Sequence, residues 1–160
     1  MQTAVPLTYF GSPQSPSFIT ATVNHIYNNA TRRLATPKFG PPFFQYQCAY
    51  CVADPKIMTM DACWHQREST QIDHIVPFSS IRNSAMYNRH IQDFINAGVA
   101  PFGSVAINWA NPQHVQIIYN DLDNLHVVCT AHNSNSHKGS SEIFNTKMMM
   151  GIPNLVIHKD

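Results

Sequence analysis

Charge is scarce in this chain. Asp, Glu, Lys and Arg together make up 12% of its 160 residues, and the formal net charge is +1. A strong basic excess is the usual footprint of tight, nonspecific duplex binding. Its lack argues against that behaviour, while a local basic patch stays compatible with a balanced total. No run is long and apolar enough to span a membrane. The opening residues, MQTAVPLTYFGSPQSPSF, have neither the basic start nor the apolar middle of a signal peptide. There is no internal repeat and no low-complexity block. A cytoplasmic protein without a membrane partner is therefore expected. At 44% hydrophobic the chain is not compositionally disordered. A domain of about 150 residues buries roughly 70% of the surface its unfolded chain exposes. One domain over 1–160, without disulfide staples, is the expectation.

Eleven prolines and many Asn and Ser residues point to long irregular connections. Residues 1–17 read as an irregular arm. In FITATVNHIYNNATRRL, residues 18–34, apolar positions recur every three or four residues. That spacing predicts a helix with Arg32 and Arg33 near its C-terminal end. TPKFGPPFF, residues 36–44, breaks it. Gln71-Ile72-Asp73-His74-Ile75-Val76-Pro77 predicts a short strand ending at the proline. A helix is predicted over 84–97, closed by Gly98. Residues 99–123 read as loop, with a short strand over Val115-Gln116-Ile117-Ile118-Tyr119. Asn124-Leu125-His126-Val127-Val128-Cys129 predicts a second core strand, with a helix from Thr130 through His137. Residues 152–157 predict a packed terminal strand.

Of the four cysteines, Cys48 and Cys51 form a Cys-x-x-Cys turn, and Cys129-x-x-His132 repeats the spacing downstream. Two soft ligands on a tight turn suit one edge of a tetrahedral zinc. The two pairs together would make a Cys3His structural site that clamps the region around Asp73-His74. A redox Cys-x-x-Cys is the competing reading, but it usually sits in a thioredoxin-like βαβ context, which the pattern lacks. Cys63 reads as a core or surface thiol.

Asp73-His74 puts a hard oxygen ligand beside an imidazole. On an extended strand these side chains point to opposite faces, so both serve one site only if the chain bends. Pro77 makes a bend plausible. Ile72-Asp73-His74-Ile75-Val76-Pro77, then Asp123-Asn124-Leu125, then Cys129-x-x-His132-Asn133, then Lys138-Gly139, resembles the HNH endonuclease family. The resemblance covers roughly 45–140. Asn133 lies nine residues after Asn124, and His137 four after Asn133, similar to the second and third signature positions of the family.

The resemblance implies an α+β fold. Its ββα-metal (His-Me finger) core would carry a zinc knuckle, an N-terminal helical extension over 1–44, a helical insertion at about 80–120 between the core strands, and a tail over 141–160. It implies His74 as the general base, Asp73 and Asn133 as ligands of one divalent ion, and Asn124 bonded to loop backbone so as to aim His74. His137 matches a further metal ligand of the colicin branch, and Lys138 would contact a phosphate. Mg2+ suits an Asp/Asn pair; adding His137 shifts preference toward Mn2+, Ni2+ or Zn2+. An imidazole with pKa near 6.5 accepts a proton from water near neutral pH.

Departures from the family pattern stand beside these implications. Fifty residues separate His74 from Asn124, and two more than usual precede Lys138-Gly139. His132 stands where a cysteine is more common, which leaves His132 open as the catalytic-metal ligand in place of Asn133. His126 reads as a pleat-face residue that could border the site. His25, His65, His90, His114 and His158 read as surface or core. Phe43, Phe44 and Tyr46 read as core packing, with base stacking as the lesser alternative.

The function implied is a metal-dependent endonuclease hydrolysing double-stranded DNA, of restriction, homing or phage type, in a bacterium or phage-infected host. Cutting both strands would call for a homodimer or sequential nicks, since one centre cuts one strand at a time. Target selection would reside in the arm and the insertion. The alternative is a non-catalytic zinc-binding module for nucleic acid or protein on the same fold.

Overall fold

Two stretches of alternating side chains pair at the centre of the structure, a computed structural model that describes residues 1–6, 15–53, 60–81, 91 and 108–131. Strands β4 (Thr70–His74) and β5 (Leu125–Cys129) run antiparallel, with Asp73 opposite His126 and His74 opposite Leu125. Side chains along a strand alternate between its faces, and cross-strand partners share a face. Ile72, Leu125 and Val127 therefore turn one way. They meet Ile26 and Tyr27 of helix α1 (Thr20–Asn29), and Tyr46, in one buried cluster. Asp73, His126 and Val128 turn the other way, toward helix α2 (Ala49–Ala53).

The second sheet orders β1 (Arg32–Ala35), β2 (Phe43–Gln47) and β3 (Trp64–Gln66), all antiparallel. Its Tyr46 joins the α1 cluster edge-on to Tyr27 at 5.0 Å. Together the two small sheets and their helices make a mixed α+β arrangement. Among the described residues, no helix is long and apolar enough to cross a membrane.

Two elements differ from the sequence expectation. The helix predicted over 18–34 stops at Asn29, and Arg32 and Arg33 lie in β1. Asn28, Asn29 and Thr31 are weak helix formers, and Ala30 is already extended at φ −68° and ψ 153°. The strand gives each arginine a ring to cover: Arg32 lies 4.1 Å over Phe44, and Arg33 4.7 Å over Trp64. Gly40, at φ +105°, reverses the chain before β2, a conformation that costs glycine little. Phe44 is 42% exposed rather than buried in the core.

The strand predicted at 115–119 is instead part of a helix. After the short helix α3 (Phe78–Ile81), helix α4 spans Pro112–Tyr119. Asn111 caps it by accepting from the Gln113 N–H at 2.9 Å, and proline occupies its first turn. Those two residues are a helix-start signal, and they outweigh the β-branched run that follows. At the far end of α4, Gln116 and Asn120 bond the backbone of Ser17 and Ile19. This pins the chain entering α1 beside β4. The helix predicted over 84–97, save Ile91, and the strand over 152–157 lie outside the described residues.

Candidate active site and thiol knuckle

Cys48 and Cys51 are brought together by the α2 turn, and Cys129 ends β5. Their three Sγ atoms all lie within 4.8 Å of one another, and all three residues are buried. Sulfur ligands about 2.3 Å from a tetrahedral zinc lie roughly 3.8 Å apart. The Cys51 and Cys129 sulfurs are 3.7 Å apart. Burial, and then the neighbouring thiols, raise the Cys51 thiol far above its usual range, and burial raises Cys48 to about 11. A bound cation relieves both causes, so the donor set fits a metal such as zinc. His65 approaches from β3, its Nε2 3.5 Å from Cys51 Sγ, although it stands outside the three-thiol group. Cys63 is buried in the same cluster but is not part of the triad.

Asp73 is 4% exposed and turns toward the knuckle. Tyr50, which lies between the two knuckle cysteines in sequence, donates its hydroxyl to Asp73 Oδ2 at 3.0 Å. His126 Nε2 lies 3.2 Å from that hydroxyl and 3.7 Å from Asp73 Oδ2. The His126 and Tyr50 rings meet edge-on at 5.2 Å.

His74, the last residue of β4, turns to the opposite face by strand alternation, and the chain bends after it over Ile75 and Val76. Its ring packs against Tyr119 edge-on at 4.4 Å, with Phe18 at 5.3 Å and Phe78 at 5.6 Å. Nε2 bonds the Tyr119 backbone carbonyl at 2.9 Å. A carbonyl can only accept, so Nε2 carries the proton, and a neutral ring then has its basic lone pair on Nδ1. Tyr119 also senses the opposite face. Burial first, and then the Asp73 carboxylate, hold its phenol above the usual range. The tyrosine thus packs on His74 while standing in the field of Asp73.

Asn124 is fully buried at the entrance to β5. Its Oδ1 accepts from the Val76 N–H at 2.7 Å, its Nδ2 donates to the Val76 carbonyl at 3.1 Å, and its own carbonyl accepts from Ile75 N–H at 2.7 Å. Asn124 therefore closes the loop that leaves His74. Asn124→Ala strands two buried backbone groups, each worth roughly 1–3 kcal/mol when unsatisfied. At roughly 2–4 °C per kcal/mol for a domain of this size, Tm is expected to fall by about 10 °C. A thermal melt within a degree or two of wild type would contradict this.

The structure gathers Asp73, His74 and Asn124 at one end of the β4–β5 pair, and Cys48, Cys51 and Cys129 at the knuckle. His132, Asn133, His137 and Lys138 lie outside the described residues. Sequence reasoning missed Tyr50 and Tyr119, and gave His65 and His126 no more than a background part. The antiparallel register puts His126 directly across from Asp73, so the two share a face. No protein-family model matches the chain, and no curated protein or solved structure matches it either.

Proposed function

We propose that the chain is a metal-dependent endonuclease that hydrolyses DNA phosphodiester bonds on a ββα-metal core. The observation that carries this reading is His74, held in one tautomer by the Tyr119 carbonyl at the end of a strand whose preceding residue is a buried carboxylate. His74 takes a proton from the attacking water. Asp73, with Asn133 and His137, holds one divalent ion, Mg2+ or Mn2+ with Ni2+ as an alternative. Such an ion neutralises charge on the phosphate and the leaving oxygen. The buried carboxylate and the imidazole of His126 beside it form a donor pair that suits a divalent cation. Asn124 keeps the loop after His74 closed, and Lys138 contacts a phosphate. The knuckle holds a structural zinc through Cys48, Cys51, Cys129 and His132.

The depth of His74, 8% exposed among three aromatic rings, favours a second reading. In it, the same fold is a non-catalytic zinc module that binds nucleic acid or protein. Plasmid cleavage with Mg2+ or Mn2+ separates the two. Cutting by wild type and not by His74→Ala supports the nuclease, while DNA binding without cutting under any divalent ion supports the module.

A further inference from the structure

We infer that Tyr50 is a positioning residue that ties the thiol knuckle to the divalent-ion ligand Asp73. The inference rests on the nuclease reading above and deepens it.

Tyr50 belongs to both places. Its backbone lies in the Cys48-x-x-Cys51 turn, where Val52 N–H bonds the Cys48 carbonyl at 3.2 Å and Cys48 N–H bonds the Cys63 carbonyl at 2.9 Å. Its side chain is buried in the thiol cluster at 4% exposure. Its hydroxyl leaves that cluster and reaches Asp73 Oδ2. The phenol spends its only proton on the carboxylate, so its oxygen accepts from His126 Nε2. The result is an ordered chain of donors, His126 to Tyr50 to Asp73, anchored in the turn that carries two metal-binding thiols. A carboxylate held by a fixed donor keeps one orientation, as a metal ligand requires. Partners that orient a ligand in this way typically matter tenfold to a hundredfold in metal affinity. The packing of Tyr50 in the thiol cluster accounts for its ring but not for its hydroxyl, which bonds the Asp73 carboxylate.

The test is Tyr50→Phe in the full, zinc-loaded chain, which keeps the ring and removes the hydroxyl. Zinc content and Mn2+ affinity are measured together, the latter by the electron paramagnetic resonance of free Mn2+. Asp73→Asn is the control. Zinc at the wild-type stoichiometry, with Mn2+ affinity roughly tenfold to a hundredfold weaker, supports the inference. The Mn2+ concentration giving half-maximal cleavage should rise by the same factor, with a smaller change in rate at saturating metal. Unchanged Mn2+ affinity in Tyr50→Phe, with wild type binding Mn2+ and Asp73→Asn not, overturns the inference and leaves the nuclease reading standing. Loss of zinc in Tyr50→Phe also overturns it, by making the hydroxyl part of the knuckle's own integrity. Equal Mn2+ binding by wild type and Asp73→Asn removes Asp73 as a ligand, and the inference with it.

Discussion

If the Cys48–Cys51–Cys129 knuckle holds a structural zinc as proposed, removing the metal is expected to unfold the domain. The three thiols join α2 to the end of β5. Val128 and Tyr50 supply apolar contact, but once the cation is gone the sulfurs are left with no more than weak thiol contacts such as that between Cys51 and Cys129. Structural zinc contributes roughly 10–16 kcal/mol of apparent binding free energy in small zinc domains near neutral pH. Whole domains are stable by only about 5–15 kcal/mol, so loss of the ion consumes the entire margin. A strong chelator should abolish the thermal transition and release one zinc per chain, and Cys129→Ser should do the same without a chelator. Cys63→Ser gives the contrast. Cys63 is just as buried but lies outside the triad, so its substitution should cost about 1–3 kcal/mol, as an ordinary buried polar change does, and should release no metal. An unchanged melt after complete metal removal would refute the knuckle's structural role.

The parts of this site that the sequence disclosed are those governed by short-range rules. Cysteine spacing brought out Cys48, Cys51 and Cys129, because a three-residue step fixes two thiols on one turn whatever surrounds them. Alternation brought out β4 and β5, since Ile72, Leu125 and Val127 need one buried face. The same rule placed Asp73 and His74 on opposite faces of β4, which ends at His74, and the chain bends over Ile75 and Val76 immediately after it. His74 also meets the ring of Tyr119, forty-five residues later in the chain, and no local pattern announces that contact. Tyr50 was hidden for the same reason: its hydroxyl finds Asp73 only once the knuckle and the strand pair are both assembled. The misread elements failed through competition between local signals. Val115, Ile117 and Ile118 argued for a strand, and the Asn111-Pro112 cap won. The apolar spacing of 18–34 argued for one helix, and the pairing of Arg32–Ala35 with Phe43–Tyr46 won beyond Asn29.

On the proposed nuclease reading, His74→Ala is expected to reduce metal-dependent cleavage by roughly a hundredfold to ten-thousandfold, the usual contribution of a positioned general base. The size follows from how tightly the ring is set. Three aromatic rings fix its plane, and the bond from Nε2 to the Tyr119 carbonyl fixes which nitrogen bears hydrogen. Alanine removes the base and leaves that carbonyl with no side-chain donor from position 74. Some of the measured loss could then come from weakened packing, so cleavage alone does not identify the base. Two further measurements separate the causes. Zinc content and DNA affinity of His74→Ala should match wild type, because Cys129 pairs with Thr70 at the far end of β4–β5 from the His74–Leu125 pair. His74→Phe should restore packing among Phe18, Phe78 and Tyr119 without restoring a lone pair, so it should recover stability but not cutting. Recovery of both would show that His74 is a packing residue, and would shift the weight to the non-catalytic module. Recovery of stability alone, with Mg2+ or Mn2+ saturating, would identify the imidazole as the group that accepts the proton from water.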